Sequence, residues 1–136
     1  MKVMLDDGAY IPERAHDLDA GYDLRSPMRV VLHPHSNATI DTGIHVQIPR
    51  GFVGFLKAKS GLNVKHDITG TGVIDSGYTG SIRVKLYNNG ALPHVFNEGD
   101  KLIQLVILPI YTPSLELVEE LDETERGESG FGSTGR

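Results

Sequence analysis

Asp75 and Tyr78 stand three residues apart in the segment Gly72-Val73-Ile74-Asp75-Ser76-Gly77-Tyr78-Thr79-Gly80-Ser81-Ile82. The glycines bound a tight turn, which presents one carboxylate and one aromatic ring together at the opening of an alternating strand. A carboxylate held on a rigid turn can orient and deprotonate a water, a contribution of roughly 10² to 10⁴ in rate. Near the C-terminus, Arg126-Gly127-Glu128-Ser129-Gly130-Phe131-Gly132-Ser133-Thr134-Gly135 supplies a guanidinium, a second ring, hydroxyls and unhindered backbone amides. A base, two stacking surfaces and an anion cradle are the parts of a nucleoside triphosphate site, here divided between a rigid hairpin and a flexible arm. Each part also has a plainer reading. Asp before Ser-Gly is a good turn former, and Tyr78 alone fits a strand residue with its hydroxyl in water. A glycine-rich tail after an acidic run has the composition of a disordered end.

Three further patches carry weaker signals. Lys59-Ser60-Gly61 opens an expected short helix through Leu62, Val64 and His66, with Ser60 as its cap. Helix N-termini offer free amides and partial positive charge to an anion, and Lys59 adds a full charge; a capped helix with an exposed lysine explains the same residues. Gln104 interrupts an apolar strand and is either satisfied by backbone or aimed into a site. Asp23, in Ala20-Gly21-Tyr22-Asp23-Leu24, sits at a strand entry where it can stabilise a turn. His33 and His35 flank Pro34, while His16, His45, His66 and His94 stand singly, so no zinc site is expected. No glycine fingerprint opening a βαβ unit, no Walker loop and no Ser-His-Asp arrangement is present.

Alternation supplies the scaffold for these groups. Met28, Val30 and Leu32, then Ile44, Val46 and Ile48, then Ile82, Val84 and Leu86 recur with period two, the mark of half-buried strands. Phe52 to Leu56 reads as another strand, entered from the turn Pro49-Arg50-Gly51. Leu102 to Ile110 is apolar on both faces and has to be covered on both, one cover being open to another subunit. Sixteen glycines and seven prolines in 136 residues fit many short elements joined by tight turns, hence an all-β sandwich or barrel. The chain is long enough for one core and too short for two comfortable domains. Residues 1–118 are expected to form the β domain. Residues 119–136 form an acidic spacer and arm, and Glu119 to Phe131 can reach roughly 40 Å when extended.

A net charge of −5 argues against a nucleic-acid polymer as partner. The absence of cysteine excludes disulfides and thiolate metal sites. No signal peptide and no run of membrane-spanning length is visible, so a soluble, cytoplasmic protein is expected.

Taken in order, Ala20–Leu24, Lys59–Leu62, Gly72–Gly80, Gly99–Leu105 and Arg126–Gly135 resemble the five motifs of the homotrimeric dUTP diphosphatases, the dUTPases. The third and fifth are highly specific, and the resemblance covers nearly the whole chain. It implies a jelly-roll subunit in a trimer that exchanges its C-terminal strand and arm, with three sites each assembled from all three chains. By similarity, Asp75 activates the water that attacks the α-phosphorus of dUTP in line, giving dUMP and pyrophosphate. Such an activity limits uracil incorporation into DNA and supplies dUMP for thymidylate synthesis. Tyr78 packs on the deoxyribose, and backbone around Thr69, Gly72, Val73 and Ile74 reads the uracil edge. Lys59, Ser60, Gly61, Gln104, Arg126, Gly132, Ser133 and Thr134 hold phosphates, and Phe131 closes over the base. Mg²⁺ is held by the triphosphate and waters, and Asp23 organises the neighbouring site. Two positions depart from the family pattern: Ala58-Lys59-Ser60 replaces Pro-Arg-Ser, which loses bidentate geometry, and Thr69 replaces a base-reading asparagine. A dCTP deaminase on the same scaffold is the nearest chemical rival, but needs a general-acid glutamate beside the base and an Arg-Ser-Ser-type segment. A non-catalytic dUTP-binding trimer with a regulatory partner is the other alternative.

Overall fold

Eleven strands and one short helix carry the chain in the computed structural model, which describes residues 1–128. The strands are β1 (Lys2–Leu5), β2 (Gly21–Arg25), β3 (Val30–Leu32), β4 (Ser36–Asp41), β5 (Ile44–Gln47), β6 (Phe52–Lys57), β7 (Ile68–Thr69), β8 (Thr71–Ile74), β9 (Arg83–Asn88), β10 (His94–Phe96) and β11 (Lys101–Pro109). Helix α1 spans Ser60–His66, between β6 and β7. Every ladder is antiparallel. A four-stranded sheet runs β2-β11-β6-β8 and a three-stranded sheet β4-β9-β7, with the pairs β1-β5 and β10-β3 completing the architecture. This is an all-β fold of the jelly-roll class.

Period-two patterning decides which faces meet. Ile82, Val84 and Leu86 are fully buried while Arg83, Lys85 and Tyr87 face water. They join Leu24, Ile44, Leu56, Ile68, Leu102, Ile103 and Leu105 in one core between the sheets. Each such side chain contributes about 1.5–3 kcal/mol by leaving water. Gly54 of β6 belongs to this packing: a Cβ there would lie 2.7 Å from Ile48 Cδ1 and 2.9 Å from Leu105 Cδ1.

Strand β11 is covered on both faces only over its first half. Leu102, Ile103 and Leu105 are buried, but Leu108 is 43% exposed and Ile110 44%. Val106 lies level with Phe55 and, through it, with exposed Val73, so an apolar stripe runs across the outer face of the four-stranded sheet. No strand follows β11 among the described residues. From Tyr111 to Leu121 the chain is irregular, with Leu115 and Leu117 almost wholly in water.

The expected helix forms, with one correction. Lys59, not Ser60, occupies the capping position, in an extended conformation with no side-chain cap; Ser60 is already helical. Val64 is exposed, and no residue of the helix is buried. Seven residues are too few for an isolated helix, so its ends do the work. Asp67 closes it in the left-handed region at φ 53°, donating its N–H to Asn63 O. No helix among the described residues is long and apolar enough to cross a membrane.

Candidate active site

The candidate side chains fall into two groups, and these lie apart. The first gathers where β2, β11 and the start of α1 meet. Asp23 on β2 is level with Gln104 on β11, which is level in turn with Lys57 at the end of β6. The chain leaving β6 therefore delivers Lys59 and Ser60 to the same place. Asp19, Ala20, Gly21, Asp23, Lys59, Ser60 and Gln104 line a cleft of about 220 Å³. Gly21 is required here: a Cβ would stand 2.6 Å from Gln104 Oε1 and 2.9 Å from Gln104 Cβ.

Asp23 is buried and accepts from two cations at once, Lys59 on Oδ1 and Lys101 on Oδ2, the latter at 2.6 Å. Burial alone pushes its carboxyl upward, but the two ammonium groups together outweigh that and hold it below the ordinary carboxylate range. With Asp19 also in the lining, the two carboxylates and the two ammonium groups balance formally, and the hydroxyl of Ser60 and the amide of Gln104 stand beside them. Asp23 is thus the ionic centre of the cluster and not a turn former, and Lys101 is a member that the sequence did not single out.

The second group sits on the turn after β8. Tyr78 N–H donates to Asp75 O at 3.0 Å, and Tyr78 Oη–H donates to Ser81 O at 2.9 Å. The ring lies over Gly80, where an added Cβ would come within 2.5 Å of Oη. The Asp75 carboxylate is exposed on this turn. The limb that leaves the turn is tied down residue by residue. Thr79 O faces His45 Nδ1 at 2.8 Å, Ser81 Oγ donates to Asp41, and Arg83 pairs with Asp41 at 3.4 Å. Ile82 O accepts from the buried Thr42 hydroxyl at 2.8 Å. The Ser81 hydroxyl, the Gly43 N–H and Arg83 lower the Asp41 carboxyl. His45, Asp41 and Thr42 were missed because each acts across the fold; the alternating strand that carries His45 was the only available sign.

The segment from Thr69 to Ile74 does not pair with itself. β7 pairs with β9 and β8 with β6, so the chain changes sheet at Gly70. The missing side chain permits the crossing, since a Cβ there would meet Leu86 Cδ2 at 2.7 Å and Lys85 O at 3.0 Å. The consequence is that Gly72, Val73 and Ile74 form an edge strand, one side of whose backbone has no ladder partner among the described residues. Thr69 Oγ1 accepts from Asn89 Nδ2 at 3.1 Å.

Within one chain these groups do not meet. β8 and β11 flank β6, and the registers put Thr71 level with Gln104 and Ile74 level with Ile107. Asp75 therefore lies about four residues, roughly 14 Å, further along the sheet than Gln104, and two strands, about 10 Å, to the side. Gly61 follows Ser60 in α1 but does not line the cleft. Arg126 lies in a turn closed by Gly127 N–H on Thr124 O at 3.1 Å, whereas Phe131, Gly132, Ser133 and Thr134 lie outside the described residues. The histidines are not all single: the His66 and His94 rings are 4.6 Å apart.

A family model described as dUTPase matches residues 7–135. A deoxyuridine 5'-triphosphate nucleotidohydrolase of Clostridium novyi is 43% identical, covering 99% of both chains. Among solved structures, the Staphylococcus bacteriophage 80alpha dUTPase with dUpNHpp superposes with a TM-score of 0.88 at 37% identity, covering 99% of this chain and 98% of that one. A point mutant of the dUTPase from phage phi11 of S. aureus, described as revealing the coordination of a structural Mg(II) ion, gives 0.81 at 40% identity over 88% of this chain and 96% of its own.

Proposed function

The chain belongs to the dUTPase family, an enzyme that hydrolyses dUTP to dUMP and pyrophosphate, and we propose how its residues divide that work. Asp75 orients and deprotonates the water that attacks the α-phosphorus in line. Tyr78, seated on Gly80, packs against the deoxyribose and leaves no room for a 2′-hydroxyl. The free edge of β8 at Gly72, Val73 and Ile74, with Thr69 beside it, reads the uracil through main-chain groups. Cytosine, with donors and acceptors exchanged, would leave those groups unpaired.

Phosphate oxygens are held by Ser60 and Gln104 in the cleft and by Gly61 beside it, with Arg126, Gly132, Ser133 and Thr134 arriving from an arm. Phe131 closes over the base and excludes bulk water. Lys59 and Lys101 act mainly through charge, because both are engaged by Asp23. Of the two carboxylates of the cleft, Asp23 is taken by the lysines, and the ammonium, hydroxyl and amide groups suit phosphate oxygens. They therefore fit a Mg²⁺ carried on the triphosphate, where it neutralises charge.

The observation that supports a shared site is the distance between Asp75 and the Asp23-Lys59-Gln104 cluster. Three copies of the chain, packed through the apolar stripe on the outer face of the four-stranded sheet, would bring one copy's turn to another's cleft. The exposed Leu115 and Leu117 alternate as a strand does, and fit exchange of residues 119–136 onto a neighbour.

Pyrophosphate release from dUTP, dCTP, dTTP and UTP, by wild type and Asp75→Asn, tests the assignment. Release from dUTP alone is expected, with a loss of at least ~10²-fold in the mutant. Comparable turnover by the mutant would remove Asp75 from its role, and release of ammonia from dCTP would move the enzyme to the deaminase class.

A further inference from the structure

His45 has two partners, and both can only accept. Its Nδ1 lies 2.8 Å from Thr79 O, and its Nε2 lies 3.2 Å from each oxygen of Asp6. A carbonyl and a carboxylate have no proton to give at neutral pH, so satisfying both contacts takes both ring protons. A neutral imidazole carries one, and would turn a lone pair toward either Thr79 O or Asp6. The ring is not free to turn away. It sits on β5 opposite Met4 of β1, with its side chain only 18% exposed, and Asp6 is itself anchored by its N–H on Gly43 O at 2.8 Å.

What this clamp holds is the limb leaving the turn of Asp75 and Tyr78. We propose that His45 is a positioning residue which, as an imidazolium, fixes the Thr79 carbonyl and so holds the Asp75–Gly80 turn ready for dUTP, and that the turn loosens when the ring loses its proton. The proposal deepens the reading of that turn as the catalytic one and rests on it.

The surrounding charges agree. The Thr79 carbonyl, then the Asp6 carboxylate, raise the ring above the ordinary histidine range; burial opposes them, and Asp41 adds to the rise. Asp41 is itself shared with Ser81 and with Arg83 of β9. Lys2 of β1 lines the same cavity of about 310 Å³ as His45 and Thr79, and the Tyr78 hydroxyl is engaged by Ser81 O. For a raised histidine the sign is fixed. The clamp is whole below about pH 6.5, the ordinary value, and is lost as pH climbs through the higher folded value. A turn populated only in part in its competent form raises the apparent dissociation constant by the inverse of that fraction, while saturating dUTP restores it. The effect therefore falls on KM and spares kcat.

The test uses the full chain. Two-dimensional NMR follows the His45 ring and the amides of residues 77–80 between about pH 5.5 and 9, and pyrophosphate release gives KM and kcat for wild type, His45→Gln and Asp6→Asn. A His45 midpoint above the ordinary value is expected, with the turn amides moving at the same midpoint. Wild-type KM should rise roughly three- to tenfold across it with kcat nearly constant. His45→Gln should show the high KM at every pH, and Asp6→Asn a midpoint moved down. Titration of the dUTP phosphate is common to all three proteins and cancels in the comparison. A ring titrating at or below the ordinary value, turn amides indifferent to it, or a His45→Gln profile superimposable on wild type would each overturn the proposal. These results are separate from the assignment of Asp75: an active Asp75→Asn with intact coupling of ring and turn would sink the catalytic reading and leave the clamp standing.

Discussion

One carboxylate between two ammonium groups sets the character of the proposed phosphate cleft. Asp23 is nearly inaccessible, while Lys59 and Lys101 each keep about a third of their side chain in water. Removing the acid leaves two half-buried cations facing each other, so Asp23→Asn should cost about 1–3 kcal/mol at pH 7, read by urea unfolding. The pH dependence has a definite direction. Because the folded carboxyl is held below its ordinary value, its contribution is complete above about pH 3.9 and disappears as pH falls through the lowered value. The gap between wild type and Asp23→Asn should therefore close in acid; a constant gap from neutral pH down to the acid limb would show that Asp23 acts through shape and not charge. Spacing alone could not reveal this centre. Asp23 and Lys59 are 36 residues apart, and only the ladder of β2 on β11, with β6 on its other side, brings them together. The sequence displayed the residue types, and the fold chose the partners.

At the level of elements, local pattern was legible and pairing was not. The alternation of Ile82, Val84 and Leu86 announced β9, and the glycines about Asp75 announced a turn, because both are decided by near neighbours. Nothing in the sequence marked Gly70 as the point where the chain leaves one sheet for the other, because the close approach there is of Leu86 and of the Lys85 carbonyl from a distant strand. Ser60 looked like a helix cap, but Lys59 enters from β6 in extended geometry and takes the position first. The third-motif turn gives the sharpest prediction at this scale. Gly80 is small because Tyr78 lies on it, so Gly80→Ala must push the ring off its seat by more than the thermal slack of a packed side chain. Selectivity for dUTP over UTP, measured as the ratio of kcat/KM values, should fall roughly tenfold. Thermal stability should move little, since both residues are at the surface. Unchanged selectivity would mean that another group excludes the ribose hydroxyl.

For the whole molecule, the question is whether Asp75 and the arm that seals its site come from the same chain. The subunit leaves its sheet face apolar around Val73, Val106 and Leu108, and sends Leu115 and Leu117 into water, so an isolated copy is energetically incomplete. If three copies share their parts, two different defects can complement. On the proposed roles, Asp75→Asn has a sound arm and a dead base, and a chain ending at residue 125 has a sound base and no arm. Each alone should sediment as a trimer and turn over dUTP poorly. Unfolded together and refolded at equal concentration, they assort at random. A site that takes its base from one subunit and its arm from another is then whole in about a quarter of cases. The mixture should recover about that fraction of wild-type turnover, and should recover nothing when the two proteins are mixed after folding. If base and arm served the same chain's site, no assortment could restore a whole one, and the co-refolded mixture would stay as inactive as its parts.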